Sequence, residues 1–220
     1  MDVLYNQVDE SNIKMPQKYR ATAAPCGDPM TESDQTPMHP LRLCQEIRRF
    51  IDEDTIVSMD GGDISVFGAM SLPTYHPGQQ LANGSTSFGC LGVGLPFALA
   101  AKLAKPDKKV ILLTGDGSFG LNAMEFDTAV RHNLPIVCVI GNDGCWGMIK
   151  HSITKFYDAD RIVGCDLPIQ KYEKIVEAMG GYGERVEIPS EIAPAIERAF
   201  SSGKPACVNV FVDPTAGSKK

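Results

Sequence analysis

Four short runs in this chain are apolar at consecutive positions rather than at alternate ones: TIVSMD (55–60), KKVILLTG (108–115), PIVCVIGN (135–142) and PACVNVFVD (205–213). A strand that is apolar on both faces has to be covered on both, and a parallel sheet flanked by helices does this. Segments of helical pattern lie between the runs. Leu43, Ile47, Phe50 and Ile51 fall at i, i+4, i+7 and i+8, which predicts a helix over about 40–52. Further helices are expected at about 89–104, 122–132, 170–179 and 190–201. Asn122, with Glu125 three residues on, has the form of a capping box, and Asn133, Gly180 and Gly203 stand where left-handed residues close helices. The alternation predicts an α/β fold, a parallel-sheet three-layer α/β/α domain, with ligands at the carboxyl ends of its strands.

Composition limits what such a fold can serve. At 220 residues and 43% hydrophobic, the chain suffices for one domain with a sizeable core. Residues 1–36 are polar and broken by prolines, an arm or linker; 37–212 form the domain; 213–220 are a polar tail. A net charge of −6 offers no basic patch for nucleic acid or an anionic membrane, so neither partner is expected. No apolar run is long enough to span a bilayer, and MDVLYNQVDESNIK lacks the parts of a signal peptide. Seven dispersed cysteines without a CxxC pair read as reduced thiols, which predicts a cytoplasmic protein.

Three loops after three predicted strands hold unusual contents: DGGD (60–63), GDGS (115–118) and GNDGCWG (141–147). All open on one edge of the sheet. Asp116 lies between glycines, which allow close approach of a ligand, and Asp143 follows 27 residues later, one helix and one strand on. Two carboxylates meeting at one edge repel unless a cation lies between them, and carboxylate oxygens suit Mg²⁺, which also holds phosphates. A helix starting near Asn122 would turn its free N–H groups toward GDGS, with the Ser118 hydroxyl as a further donor. A Mg²⁺-bridged diphosphate is therefore expected there. There is no G-x-x-x-x-G-K-[ST] P-loop, and GCLGVG (89–94) is not a dinucleotide fingerprint.

The stretch GDGSFGLNAMEFDTAVRHNLPIVCVIGND resembles the thiamine diphosphate motif that opens with Gly-Asp-Gly and closes with Asn-Asn. The resemblance covers about residues 37–212 and is to the C-terminal, diphosphate-binding domain of the acetolactate synthase, benzaldehyde lyase and 2-hydroxyacyl-CoA lyase group. It implies thiamine diphosphate and Mg²⁺ as cofactors, with Asp116, Asp143 and the main-chain carbonyl of Cys145 as metal ligands. Asp143 departs from the usual second asparagine but keeps a hard oxygen. Gly115, Gly117 and Ser118 would meet the diphosphate. In TSFGCLGVGLPFALA, Gly89 matches the position whose carbonyl receives the pyrimidine amino group, Cys90 adjoins it, and Leu91 matches the apolar residue that bends the cofactor. Gly61, Gly62 and Asp63 match the loop beside the pyrimidine. Trp146, Gly147 and Met148 complete the candidate cofactor set.

Enzymes of this group use the thiazolium ring as an electron sink for C–C cleavage or ligation. The resemblance thus implies a lyase, decarboxylase or carboligase acting on 2-oxo or 2-hydroxyacyl compounds, acyl-CoA thioesters among them. They also need a glutamate from a separate pyrimidine-binding domain, and Glu125, on the diphosphate side, is no substitute. A partner subunit carrying that domain, in a hetero-oligomer, is therefore expected. The stretch CWGMIKHSITKFYDADRIVGCDL (145–167) should form a helix after the metal loop, with Met148, Lys150 and His151 at or beside the reaction space. It lacks the tryptophan-containing stretch usual in true acetolactate synthases, and RIVGCDL is closer to the benzaldehyde lyase type. Acetolactate synthesis and a non-catalytic cofactor-binding module remain as alternatives.

Overall fold

The structure, a computed structural model, describes residues 28–82, 88–157 and 159–217. The expected arm up to residue 27, with Cys26, and the last three residues of the tail lie outside the described residues. In chain order the elements are α1 (Pro40–Arg48), β1 (Thr55–Met59), α2 (Asp63–Ser71), β2 (Gln80–Ala82), α3 (Gly94–Ala104), β3 (Lys109–Gly115), α4 (Asp116–Asn122) and α5 (Glu125–Arg131). There follow β4 (Val137–Asn142), α6 (Gly147–Phe156), α7 (Tyr172–Ala178), β5 (Tyr182–Val186), α8 (Ile192–Ser201) and β6 (Ala206–Phe211).

Six strands form one sheet in the order β2-β1-β3-β4-β6-β5, every neighbouring pair parallel. Alternate residues of the central strands feed two cores. Ile111, Leu113, Val137, Val139, Val208 and Val210 join the core beneath α1, α2 and α8. Val110, Leu112, Cys138, Ile140 and Cys207 join the core beneath α3, α5 and α7. Burying both faces is what makes the strand runs continuous rather than alternating, and each fully buried Ile, Leu or Val contributes about 1.5–3 kcal/mol. The chain leaves β1 toward β2 on one side and returns to β3 on the other, so the strand order reverses between β1 and β3. Such a switch point opens a crevice at the strands' carboxyl ends.

Three expectations need correction. No helix starts at Asn122: α4 begins at Asp116, inside the GDGS motif, and Asn122 ends it. The Asn122 amide instead donates to the Gly92 carbonyl at 2.6 Å, tying the glycine-rich loop to α4, and α5 starts without a side-chain cap. The helix expected from 89 starts at Gly94, because Gly89 and Gly92 take positive φ (60° and 85°) and hold the chain in a loop. Finally α2, β2 and β5 lie in segments given no element by the periodicity. The stops are where expected: Asn133, Gly180 and Gly203 all have positive φ.

Candidate functional site

Three strand ends meet under one side chain. Ile64, in the first turn of α2, lies so close that a Cβ on Gly61 would stand 2.9 Å from it and one on Gly141 2.7 Å. Gly61 has φ 110°, and its Cβ would also come within 3.1 Å of the Gly115 backbone nitrogen. Glycine at the ends of β1 and β4 is thus what lets these loops close around a shared floor. Asp60, which opens the first loop, is buried and turned away: Gly61 N–H donates to one of its oxygens at 2.7 Å and Gly94 N–H to the other at 2.8 Å. It joins the end of β1 to the start of α3.

A cavity of about 290 Å³ opens at this edge. Gly61, Gly62 and Asp63 line it from the β1 loop; Gly115, Asp116, Gly117 and Ser118 from the β3 loop; Asp143, Cys145, Trp146, Gly147 and Met148 from the β4 loop; and Gly89 and Leu91 from the glycine-rich segment. Of the expected site residues only Cys90 is elsewhere, exposed at the surface. Ile64, Ser65, Val66, Gly141 and Ile149 also line the cavity and were not anticipated. Gly141 opens the GNDGCWG loop, whereas Ile64, Ser65, Val66 and Ile149 carry no signal of their own in the sequence.

Asp116 is 2% exposed, and its Oδ2 is buried with no hydrogen-bond partner among the described residues. Burial, and then the charge of Asp143, hold its carboxyl well above the usual carboxylate range, against the steadying N–H of Gly117. Asp143 is raised too, chiefly by burial, while its Oδ1 accepts the Cys145 N–H at 3.0 Å. Each carboxyl thus lies within the electrostatic reach of the other. Such a pair with an unsatisfied buried oxygen suits a hard divalent cation, which takes one or two carboxylates and completes its shell from carbonyls, water and phosphate. Among the described residues no group of three or more His, Cys, Asp or Glu side chains gathers to hold a metal, so this carboxylate pair is the candidate centre. The Cys145 thiol is pushed up to about 12 by burial and by Asp143, which leaves it neutral and only its main chain as a hard donor.

Packing explains the remaining loop residues. A Cβ on Gly117 would meet the Trp146 ring at 2.6 Å, so the indole rests directly on the GDGS backbone. One on Gly147 would meet Asp143 Oδ2 at 2.6 Å, and one on Gly62 the Met148 Cβ at 2.8 Å. Beneath the loop, Asn142 Nδ2 donates to Asn209 Oδ1 at 3.1 Å, and Asn209 Nδ2 donates to Glu173 Oε2 at 2.8 Å. Asn142 Oδ1 accepts the Gly144 N–H at 3.3 Å. This network was not anticipated, because Asn209 and Glu173 lie far from any motif.

His151 and Lys150, expected at or beside the reaction space, do not line the cavity, and each has a carboxylate partner. His151 Nε2 donates to the Pro214 carbonyl at 2.9 Å, and its Nδ1 meets Asp63 Oδ2 at 2.6 Å. The imidazole thus links α6, the start of α2 and the tail. Lys150 donates to Asp166 at 2.6 Å.

Residues 60–210 match the family described as thiamine pyrophosphate enzyme, C-terminal TPP binding domain. The chain is 46% identical over 182 residues to a probable acetolactate synthase of Mycobacterium bovis, covering 83% of this chain and 33% of that protein. It is 38% identical over 168 residues to a 2-hydroxyacyl-CoA lyase of Oryza sativa subsp. japonica, covering 74% and 29%. A solved thiamine diphosphate-dependent 4-hydroxybenzoylformate decarboxylase of Rhodococcus jostii RHA1 superposes with a TM-score of 0.73 at 26% identity, over 80% of this chain and 33% of that one. The chain thus spans about a third of the length of these relatives.

Proposed function

The chain belongs to the thiamine pyrophosphate enzyme family, through its C-terminal TPP-binding domain, and from that premise we propose that it holds thiamine diphosphate through Mg²⁺ for a carbon–carbon lyase, decarboxylase or carboligase. The substrates are 2-oxo or 2-hydroxyacyl compounds, acyl-CoA thioesters among them. One observation carries the reading: the buried, unpartnered Oδ2 of Asp116 facing Asp143 in a cavity at the sheet's switch point.

Asp116, Asp143 and the Cys145 carbonyl would hold the cation, and Gly115, Gly117 and Ser118 the diphosphate. α4 follows a glycine N-cap and so has no capping side chain, although the Gly117 N–H is turned to the Asp116 carboxyl. Gly89 and Leu91 would receive and support the pyrimidine half. When bound, the cofactor supplies an electron sink for C–C bond cleavage or formation. This chain's share of the work is positional: Trp146 fixes the GDGS backbone, the Asn142–Asn209–Glu173 network fixes the Asp143 loop, and Ile64, Met148 and Ile149 give the cavity an apolar lining.

The activating glutamate would come from a pyrimidine-binding domain that accounts for part of the length by which the relatives exceed this chain. We place that domain on a partner subunit, or on a further part of a longer polypeptide, in the cytoplasm. A second reading, an acetolactate synthase-like carboligase, is supported by the 46% identity to a protein of that name. Exchange of the thiazolium C2 proton in D₂O, followed by NMR, tests the first. With Mg²⁺ and this chain alone, exchange should stay near the rate of free cofactor; adding a pyrimidine-domain chain should accelerate it. Acceleration by this chain alone would overturn the need for a second domain.

A further inference from the structure

The helix α6 leads away from the cavity to a second concavity. Ile149, Ile153 and Phe156 fall at i, i+4 and i+7 of this helix, so they share one face. Ile149 lines the cavity and is 56% exposed, Ile153 is half-buried, and Phe156 is 70% exposed. An apolar ridge thus runs from the cavity to the far end of the helix, a span of about 10 Å along its axis. At that end an open groove of about 540 Å³ is lined by Lys155, Phe156, Tyr157 and Arg161. Two cations and two aromatic rings make up this lining, in a chain whose net charge is −6. Among the described residues neither Lys155 nor Arg161 forms an ion pair. Asp160 is exposed and does not line the groove. The Lys155 ammonium stands 5.4 Å from the Phe156 ring centroid, a cation–π contact that holds it at the groove without neutralising it. Tyr157 is 65% exposed, which leaves its ring open to a ligand.

We infer that this groove seats the adenine nucleotide end of a coenzyme A thioester, whose acyl group lies in the cavity and whose pantetheine arm follows the ridge of α6. The inference rests on the acyl-CoA branch of the proposed function and adds a place for the part of the substrate that does not react. Each part of the ligand has a counterpart. Phosphate oxygens suit a guanidinium and an ammonium that no carboxylate has already taken. Adenine offers a flat π face for the Tyr157 ring to stack on. The arm is longer than the span between cavity and groove, and its methylenes would cover Ile149 and Ile153 where these face water. Binding at the nucleotide, remote from the reacting carbon, then serves to position that carbon.

Calorimetric titration of the full chain tests this, with coenzyme A, with pantetheine, which lacks the nucleotide, and with ADP, which lacks the arm. The wild type is compared with the double variant Lys155→Ala, Arg161→Ala, both side chains being exposed. Thiamine diphosphate is titrated into each protein separately with Mg²⁺. The inference expects coenzyme A to bind the wild type more tightly than ADP or pantetheine does. It expects the double variant to lose at least about tenfold in coenzyme A affinity, with thiamine diphosphate binding unchanged. Equal coenzyme A binding by the two proteins would overturn the inference, as would no binding by the wild type, and the cofactor reading would stand on its own titration in either case. ADP binding as tight as that of coenzyme A would take the arm off the ridge and overturn the thioester assignment. Coenzyme A binding lost in the double variant, in a chain that never binds thiamine diphosphate, would support the groove and overturn the cofactor reading.

Discussion

At the scale of single residues, the site trades stability for a charge. Asp116 keeps a carboxylate oxygen that no hydrogen bond among the described residues satisfies, and a buried unpaired polar or charged group costs about 1–3 kcal/mol or more. Asp116→Asn should therefore stabilise the metal-free chain at neutral pH by about 1–3 kcal/mol in urea titrations, while abolishing Mg²⁺-dependent cofactor binding. A metal-free variant less stable than wild type would mean that the carboxylate is satisfied without a cation. Gly117 has the opposite character, because its missing Cβ is what lets Trp146 lie on the loop, 2.6 Å from where that atom would stand. Trp146 is the chain's single tryptophan, so its fluorescence reports on this contact alone. Gly117→Ala should shift the emission toward the red by moving the indole outward, and should weaken cofactor binding; unchanged emission with weakened binding would separate the two roles.

At the scale of elements, the loops owe their positions to partners remote in sequence. Asn209 lies on β6, yet it connects the Asn142 amide to the buried Glu173 carboxylate on α7. Asn209→Ala should cost about 1–3 kcal/mol by removing the amide donor from the buried Glu173 carboxylate and leaving the Asn142 amide only the Gln170 carbonyl at 3.4 Å, with faster hydrogen exchange at Gly144 and Cys145. His151 on α6 holds Pro214 of the tail and Asp63 at the head of α2. His151→Ala should lower stability by about 2 kcal/mol and raise exchange across 213–217; protection unchanged in that segment would mean other contacts hold the tail. The same remoteness limited what could be read from the sequence. The strands of the sheet's centre were legible because burial on both faces leaves an unbroken apolar run. The helix α2, DISVFGAMS, was not, because it packs under α1 and against β3, with Gly68 admitting Leu113, and shows no polar stripe. The edge strand β5, YGERV, is half-buried and polar, and β2 has three residues. Asn122 misled for a physical reason: its amide serves the Gly92 carbonyl rather than a helix start. Most cavity-lining positions were legible because they fall in glycine-acid loops after strands; Ile64 and Ile149 were not, since an apolar residue in a helix looks the same over a cavity as in a core.

At the scale of the molecule, the sheet provides a cradle with one end closed and the other at the surface. The carboxylates and glycines lie inside at the strand ends, whereas Gly89 is exposed and its neighbour Phe88 is 95% exposed. Those are the positions the proposed cofactor would offer to a second domain, which accords with a chain about a third as long as its relatives. The central claim is that this cavity holds thiamine diphosphate through a divalent cation. Calorimetric titration of the cofactor into the chain tests it most directly, with Mg²⁺ or with chelator, alone and beside a pyrimidine-domain chain. The account predicts saturable binding that disappears on chelation and tightens when the second domain is added. Absence of binding under every condition, or binding that chelation leaves unchanged, would contradict it.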